Sequence, residues 1–291
     1  MTEVSNLPII PLQPEDAEEA MTLSREANWN QTVDDWRLMT ETGNAVGLRN
    51  DDGRLIASGL SLPHGDDFAW ISMILVTADY QRQNIASRIM AYLIETIQAD
   101  GRVPGLDATP AGKTVYTPLG FQPVYELHRW QAVEPGWAAP VAVPGGISVR
   151  GGNESDLPDI LEMDGNVFGG DRKSILSHLM KRCPDQALVA RRDVDNGLAG
   201  FVLARDGRES LQIGPLIAED EQIALDLLDR SLGNVDGPTY IDIPEQQELL
   251  TAWLTSRGFT IQRPFTRMLI GRTEPFDKPQ NVFAIAGPEL G

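Results

Sequence analysis

The chain has 291 residues, of which 42% are hydrophobic, and it carries a formal net charge of −18 at pH 7. This length suits two domains, each large enough to bury a hydrophobic core. The acidic surface disfavours nucleic acids and anionic membranes as partners and favours cationic molecules such as amines, although a need for solubility would account for it equally well.

Targeting and metal-binding signals are missing from the sequence. The first residues have neither the basic segment nor the long apolar stretch of a signal peptide, and no apolar run approaches the ~20 residues that cross a bilayer. The single cysteine, Cys183, excludes an internal disulfide, which fits a reducing cytoplasm, and we expect it to be buried. The three histidines lack the spacing of a metal site, so no metal is expected.

The first half of the chain predicts a mixed α/β (α+β) fold. Strands are expected at residues 7–12, 45–48, 55–62, 68–76, up to 107 and from 121, and helices from 14, at 32–42, at 84–98 and at 110–119. Asn50-Asp51-Asp52-Gly53 is typical of a hairpin turn between the second and third of these strands. The order indicates a mixed, mostly antiparallel central sheet flanked by helices.

The second half repeats this order after a linker at residues 134–146, which is rich in proline, glycine and alanine. Strands are expected at residues 147–150, 187–191, 198–204, 210–216, 240–243 and 259–270, and helices from 156, at 172–181, at 221–232 and at 245–256. We therefore predict an N-terminal domain at 1–133, a C-terminal domain at 147–272 and a tail at 273–291 that is too apolar to be disordered.

Matching residues support a duplication. Gly120-Phe121 and Gly258-Phe259 lie 138 positions apart, and the same offset relates Arg129 to Arg267 and Ile85-Ala86 to Ile223-Ala224. Three pairs in one register, with the same order of elements, indicate that the second half is a copy of the first.

The most informative segment runs from residue 75 to residue 87 and predicts a strand, a polar loop and the start of a helix. Amides at a helix N-terminus favour an anion such as a diphosphate, and Arg82 adds positive charge. The loop reads Gln81-Arg82-Gln83-Asn84-Ile85-Ala86 and resembles the acyl-CoA loop of the GNAT N-acetyltransferase superfamily, Gln/Arg-x-x-Gly-x-Gly/Ala. Asn84 stands where glycine is usual. Asparagine tolerates a positive φ better than most residues, but the change is a reason for weaker cofactor binding.

A downstream segment extends the resemblance. Tyr116 stands four residues before Gly120-Phe121, which opens the last strand, as in the GNAT family. The resemblance covers residues 5–133. It implies a GNAT fold in each half and an acyl-CoA bound where two neighbouring strands separate, with acetyl-CoA as co-substrate.

The same resemblance implies roles for individual residues. Backbone groups of the strand would pair with the pantetheine arm and the loop amides would hold the diphosphate. The residues implied to contact the cofactor are Leu75, Val76, Gln81, Arg82, Gln83, Asn84, Ile85, Ala86, Ser87 and Thr109. The acceptor amine would attack the thioester directly, and Tyr116 would protonate the departing thiolate.

The general base stays open at the level of sequence. Asp107 at the end of a strand, Asp66 or Asp67, and a chain of waters are the alternatives. Asp107 is the candidate catalytic residue beside Tyr116, although it could equally cap the helix that follows. Thr109 is the better candidate for that N-cap.

The second half departs from the motif. The same offset places Glu219-Asp220-Glu221-Gln222 where the diphosphate loop should be and Leu254 in place of Tyr116, so we expect this copy to have lost the cofactor site. The half resembles the C-terminal domain of tandem bacterial acetyltransferases in segments 168–172 and 213–218. Asp171 is expected to cap a helix, with Arg172 solvated; the alternative is that Asp171 and Arg172 shape a substrate pocket.

These patterns favour an acetyl-CoA-dependent transfer of an acetyl group to a primary amine of a small molecule. Two alternatives stay open: a non-catalytic acyl-CoA sensor, because of Asn84, and a protein-lysine acetyltransferase, because of the acidic surface. The sequence leaves the acceptor, the acyl length and the oligomeric state undetermined.

Overall fold

The structure, a computed structural model, describes residues 4–136, 145–233 and 235–291. It divides into two compact units: a first unit of Met1–Leu106, Gly207–Glu209 and Leu290, and a second unit of Asp107–Asp206, Ser210–Glu289 and Gly291. The predicted domain limits, 1–133 and 147–272, stay predictions. Most of the predicted linker at 134–146 lies outside the described residues.

The first unit is a five-stranded sheet with three helices. Its elements are β1 (Ile10–Pro11), α1 (Ala17–Glu26), α2 (Val33–Thr42), β2 (Asn44–Arg49), β3 (Leu55–His64), β4 (Phe68–Val76), α3 (Ile85–Ala99) and β5 (Val103–Ala108), whose last two residues belong to the second unit. The strands follow one another in chain order; β1 to β4 are antiparallel neighbours, and β4 and β5 are parallel. The crossover from β4 to β5 through α3 allows this parallel pair.

Local chemistry explains where these helices begin. Thr32 and Asp35 form a reciprocal capping box at the start of α2, so that two backbone donors are satisfied by side chains. Pro14 opens the short 3-10 turn that leads into α1. The buried residues of α3 recur at helical spacing, at Ile85, Ile89 and Leu93 among others.

The second unit contains the remaining elements. They are α4 (Pro110–Tyr116), β6 (Phe121–Ala132), β7 (Ile147–Gly151), α5 (Leu157–Phe168), α6 (Lys173–Arg182), β8 (Leu188–Arg192), β9 (Leu198–Arg205), β10 (Leu211–Ala218), α7 (Glu221–Leu232), β11 (Thr239–Pro244), α8 (Glu248–Ser256), β12 (Thr260–Ile270) and β13 (Val282–Ala284). Their order in the sheet is β12-β6-β11-β10-β9-β8-β7, and β13 pairs with β10. The predicted α/β fold, with a mixed central sheet flanked by helices, is confirmed.

Strand β6 comes from the first half of the sequence but lies between two strands of the second half. It pairs antiparallel with β11 along Thr239–Pro244 and antiparallel with β12 along Thr260–Ile270. The last strand of the first repeat is therefore built into the sheet of the second unit, which is why the compact units do not follow the sequence halves.

The interior of the second unit contains buried ion pairs as well as apolar side chains. The expectation that Arg172 is solvated is wrong: Arg172 is buried and donates to both oxygens of Asp164, and its guanidinium lies over the ring of Phe168. Asp171 accepts the amide of Lys173 at the start of α6. Cys183 is buried, as expected. Over the described ranges, no helix combines the length and apolarity needed to cross a bilayer.

Candidate active site

Strand β4 loses its partner before it ends. It pairs with β5 only from Phe68 to Trp70, yet it continues to Val76. Its pairing with β3 shifts register between Ser58 and Leu60, opposite Met73, which has a φ of 54°. The bulge bends the strand, and the end of β4 is left without a neighbour on the β5 side.

The backbone of Val76 points to that open side. The amide of the next residue, Thr77, donates to Ile56 of the β3 side at 2.9 Å, so alternation along an antiparallel strand turns the groups of Val76 the other way. The carbonyl of Val76 accepts Nε2 of Gln81 at 3.1 Å. By the same alternation the backbone of Leu75 faces β3, where Leu75 pairs with Ser58.

A cavity of about 430 Å³ lies against this end of β4. Its walls include Leu75, Val76 and Gln81, together with Leu23 and Ala27 of α1. The structure therefore brings three of the residues implied to contact the cofactor to one cavity. The lining combines these apolar side chains with the charged Glu26, Arg54 and Asp79. A strand end without a neighbour on one side suits a chain that carries amides, such as pantetheine.

The loop after β4 presents unpaired amides. Arg82 and Asn84 both lie in the left-handed region, with φ values of 61° and 62°, and Asn84 is the N-cap of α3 without a side-chain cap bond. In the part of the chain that the structure describes, the amides of residues 82–87 donate to no protein acceptor. Consecutive amides in such a turn form an anion-binding nest at a positive helix end.

The side chains around this nest are available to a ligand. Arg82, Gln83 and Ser87 are exposed, and Ile85 is buried beneath them. Gln83 Nε2 donates to the carbonyl of Asp79 at 3.3 Å, which ties the loop to its own start. The loop can therefore hold a diphosphate through backbone amides and one arginine.

Replacing Asn84 tests the left-handed conformation. Glycine adopts a positive φ without strain, so Asn84→Gly should leave the KM for acetyl-CoA unchanged or lower it. A β-branched residue costs about 1–2 kcal/mol in this region, and Asn84→Val should raise that KM roughly ten-fold. Asn196, with a φ of 57°, is the matched control: Asn196→Val should cost similar stability without changing KM. Equal KM values for all three variants would contradict the predicted role of the loop.

Tyr116 ends α4 in the second unit. Thr109 caps this helix by accepting the amide of Gly112 at 3.2 Å, which confirms the expected N-cap. A Cβ at Gly112 would lie 2.9 Å from Cε2 of Tyr116, so the small residue makes room for the ring. Burial raises the pKa of Tyr116 above its ordinary value of 10.0. The phenol therefore keeps its proton at neutral pH.

The hydroxyl of Tyr116 is free of protein partners in the described residues, while its ring contacts Phe121 at 6.0 Å between centroids. A positioned phenol with no internal hydrogen bond is available to donate its proton to a ligand. The structure places it by packing alone.

Asp107 is held in a buried ion-pair network. Both of its oxygens accept from Arg267 at 3.0 Å, and neither side chain is more than 3% exposed. Arg267 also donates to Asp277, which accepts the hydroxyl of Tyr125 at 2.6 Å. Burial raises the pKa of Asp107, and the Arg267 guanidinium opposes that rise. This geometry suits a structural carboxylate better than a base that must meet an incoming amine.

The other aspartates considered for the base lie elsewhere. Asp66 and Asp67 are exposed in the turn between β3 and β4, and Asp66 lies 3.7 Å from Arg102. Sequence reasoning missed Glu126 of β6, which is 39% exposed, accepts Nζ of Lys113 on α4 at 2.9 Å and is held by Oγ1 of Thr266. No local motif marks Glu126 as a candidate. Its contact with Thr266 follows from the pairing of β6 with β12, which the sequence does not show.

The two repeat-related arginines make the same interaction. Arg129 donates to both oxygens of Asp242 at 2.8 Å in the interior, as Arg267 does to Asp107. Arg129 lies on β6 and Arg267 on the corresponding strand β12, and each binds an aspartate that belongs to the other half. The repeat seen in the sequence is thus matched by a reciprocal pair of buried ion pairs.

Comparisons with known proteins agree with this architecture. A family model described as "Acetyltransferase (GNAT) family" matches residues 10–121, and one described as "Acetyltransferase (GNAT) domain" matches residues 160–284. The chain is 26% identical over 257 residues to the uncharacterized N-acetyltransferase YitH of Bacillus subtilis (strain 168), covering 86% of this chain and 87% of YitH.

Solved structures share the fold over almost the whole chain. A proposed acetyltransferase of Pyrococcus horikoshii has a TM-score of 0.79 at 20% identity, covering 100% of this chain and 98% of that one. A tandem GNAT protein from the clavulanic acid biosynthesis pathway has a TM-score of 0.65 at 14% identity, covering 91% and 98%. The two family matches together span most of the sequence, and the chain therefore belongs to the GNAT superfamily, as an acyltransferase with two GNAT domains in tandem.

Proposed function

We propose that the chain transfers an acetyl group from acetyl-CoA to a primary amine of a small molecule, and that the first half holds the cofactor. The observation that carries the proposal is the combination in the first unit of a strand end without a partner, a cavity beside it and a nest of unpaired amides. These features supply, in chain order, groups for an amide-bearing arm and for a diphosphate.

In the proposed chemistry the protein positions the reactants and transfers protons. Bound acetyl-CoA supplies an activated thioester. The protein orients it so that a neutral amine attacks the carbonyl directly, and such positioning accounts for much of the rate of acyl transfer. Tyr116 is the proposed general acid, since its raised pKa keeps the phenol protonated.

An amine of pKa about 10 must lose a proton before it attacks. Asp107 is satisfied by Arg267, so we propose Glu126 for binding the ammonium form or accepting its proton. Its carboxylate is half-exposed, and its contact with Lys113 places it against the helix that carries Tyr116. The net charge of −18 supports a cationic acceptor.

Two other functions remain to be separated from this one. A non-catalytic acyl-CoA sensor would bind CoA without releasing it from acetyl-CoA, and a protein-lysine acetyltransferase would prefer basic peptides to small amines. Incubation with acetyl-CoA and a panel of amines and lysine peptides, with free thiol as the readout, distinguishes the three. Thiol release with small amines alone supports the proposal.

Reversing the charge at Arg82 tests the cofactor loop. Arg82→Glu should raise the KM for acetyl-CoA at least ten-fold, because it places a carboxylate beside the diphosphate, while the melting temperature stays unchanged for this exposed side chain. Lys181→Glu makes the same change in charge at a 70% exposed lysine of α6 and should leave KM unaltered. An unchanged KM in Arg82→Glu would count against the loop as the diphosphate site.

A further inference from the structure

The second half repeats the strand geometry of the first-half cavity. Strands β10 and β11 run parallel and pair for only three residues, Leu211 to Ile213 with Thr239 to Ile241. The pairing of β10 with β9 then becomes irregular between Ile213 and Leu216, and β10 continues to Ala218. This is the arrangement of β4 with β5 and β3: a short parallel pair, a bulge and a strand end that has lost its partner.

In the second half this space is filled by the chain itself. Strand β13 pairs antiparallel with the end of β10, Ala284 opposite Leu216 and Val282 opposite Ile217. The amide of Ile285 then donates to the carbonyl of Asp242 on β11 at 2.9 Å. The tail thus bonds to both separated strands.

Side chains fix the tail in this position. Gln247, which is 4% exposed, donates Nε2 to the carbonyls of Pro279 and Val282, both at 2.9 Å. Asn281 donates Nδ2 to the carbonyls of Ala218 and Glu219, at 3.0 and 3.2 Å. All five residues from 282 to 286 are buried.

Close approach requires a glycine on β10. A Cβ at Gly214 would lie 2.0 Å from the carbonyl oxygen of Ile285, so no other residue would let the tail enter at this depth. Gly214 has a φ of 143°, which favours glycine independently. The strand is therefore shaped to receive the tail.

An N-terminal amide of α7, the helix that follows β10, is also bonded by a side chain of the protein. Asp220 caps α7 by accepting the amide of Ile223 at 2.9 Å, whereas Asn84 makes no such bond at α3. Glu221 accepts the amide of Leu250. The amide end that is open in the first half is occupied here by a carboxylate of the protein.

From these contacts we infer that residues 279–286 are a built-in ligand of the second half, which occupies the counterpart of the first-half cavity and excludes acyl-CoA from it. The inference goes beyond the proposed function, because it is carried by contacts within the second unit. The tail would then block the second cleft, and the chain would bind no more than one acyl-CoA.

Hydrogen exchange of the full chain tests the inference without a ligand. Residues 282–286 should exchange as slowly as the core strand β10, and saturating CoA should leave exchange at 211–223 and 279–287 unchanged. Rapid exchange of the tail in the free protein, or a change in either segment on adding CoA, would overturn the inference. Protection of residues 75–88 by CoA reports separately on the proposed function, and its failure leaves the result for the tail intact.

A variant of Gln247 provides a second test of the inference. Gln247→Leu removes two hydrogen bonds to the tail and should speed exchange within 279–286 about ten-fold or more, with no change within 75–88. Gln262→Leu is the matched control, since its amide also makes two bonds but is exposed. Equal exchange of the tail in both variants would contradict the proposed anchoring.

Counting bound CoA completes the test. The wild-type chain should bind at most one equivalent, and Arg82→Glu, which weakens the first-half loop, should show no site of wild-type affinity in a calorimetric titration. A full equivalent bound by Arg82→Glu, with exchange protection at 211–223, would show that the second cleft is open and would overturn the inference.

Discussion

Replacing Tyr116 with phenylalanine should lower kcat by roughly 100- to 10,000-fold, the range typical of losing a general acid, with little change in the KM for acetyl-CoA. The phenyl ring keeps the packing of Tyr116 against Phe121, so the variant should fold normally. Steady-state thiol release with a reactive amine measures both constants.

The pH dependence gives this prediction a second readout. Burial raises the pKa of Tyr116 above 10.0, so the phenol stays protonated below that pH and is lost as an acid only above it. Ionisation of Tyr116 should therefore cause no loss of wild-type rate at any pH below 10. Any loss of rate that it causes above pH 10 should be absent in Tyr116→Phe. A variant that keeps the full kcat at all pH values would mean that the hydroxyl takes no part in the chemistry.

Removing Arg267 should destabilise the second unit by about 3–5 kcal/mol, because it leaves the buried carboxylate of Asp107 without a counter-charge. The side chains of Asp107 and Arg267 are 0% and 3% exposed, and Asp277 also depends on this guanidinium. Arg267→Met should thus lower the midpoint of chemical unfolding clearly. The double variant Asp107→Leu/Arg267→Met should recover only the part of the loss that Asp107 causes, since the buried Asp277 stays without its counter-charge.

Two control variants test this prediction. Arg37→Met removes an exposed arginine that pairs with Asp34 on α2 and should cost no more than about 1 kcal/mol. Asp107→Asn keeps the size of the side chain and should retain kcat within a few-fold if Asp107 is structural. If a folded Asp107→Asn variant instead turned over at least 100-fold more slowly, Asp107 would be restored as the general base.

Hydrophobic periodicity is sufficient to predict most elements of both halves. The limits of β4 and α7 agree with the sequence prediction residue for residue, because β4 is a long apolar run and α7 is clearly amphipathic. Asn84 stands at a position where the loop pattern has glycine. Its φ of 62° lies in the left-handed region that glycine adopts readily. These features depend on neighbours in the chain, which is what a sequence pattern records.

Features that depend on distant residues could not be predicted. The placement of β6 between β11 and β12 has no local signature, since its sequence is that of an ordinary strand. Arg172 is buried because Asp164 on α5 pairs with it, and nothing in a polar turn indicates that partner. Strand β13 has only three residues, too few to show an alternating pattern, although the apolar composition of the tail does predict order.

The shared offset of Arg129 and Arg267 indicates more than a duplication. The two arginines also mark reciprocal ion pairs with Asp242 and Asp107. A charged residue present in the same buried strand of both copies predicts a partner, because charge in a strand interior is rarely kept without a counter-charge. The identity of that partner depends on how the two halves pair, which the sequence alone does not record.

A crystal structure of the full chain soaked with CoA tests directly whether the first-half loop binds the cofactor. The phosphates should lie against the amides of residues 82–87, with the pantetheine arm beside Val76 and the tail still paired with β10. Phosphates bound near Glu219 and Gln222 instead, or a first-half loop whose amides stay closed to the cofactor, would contradict the account.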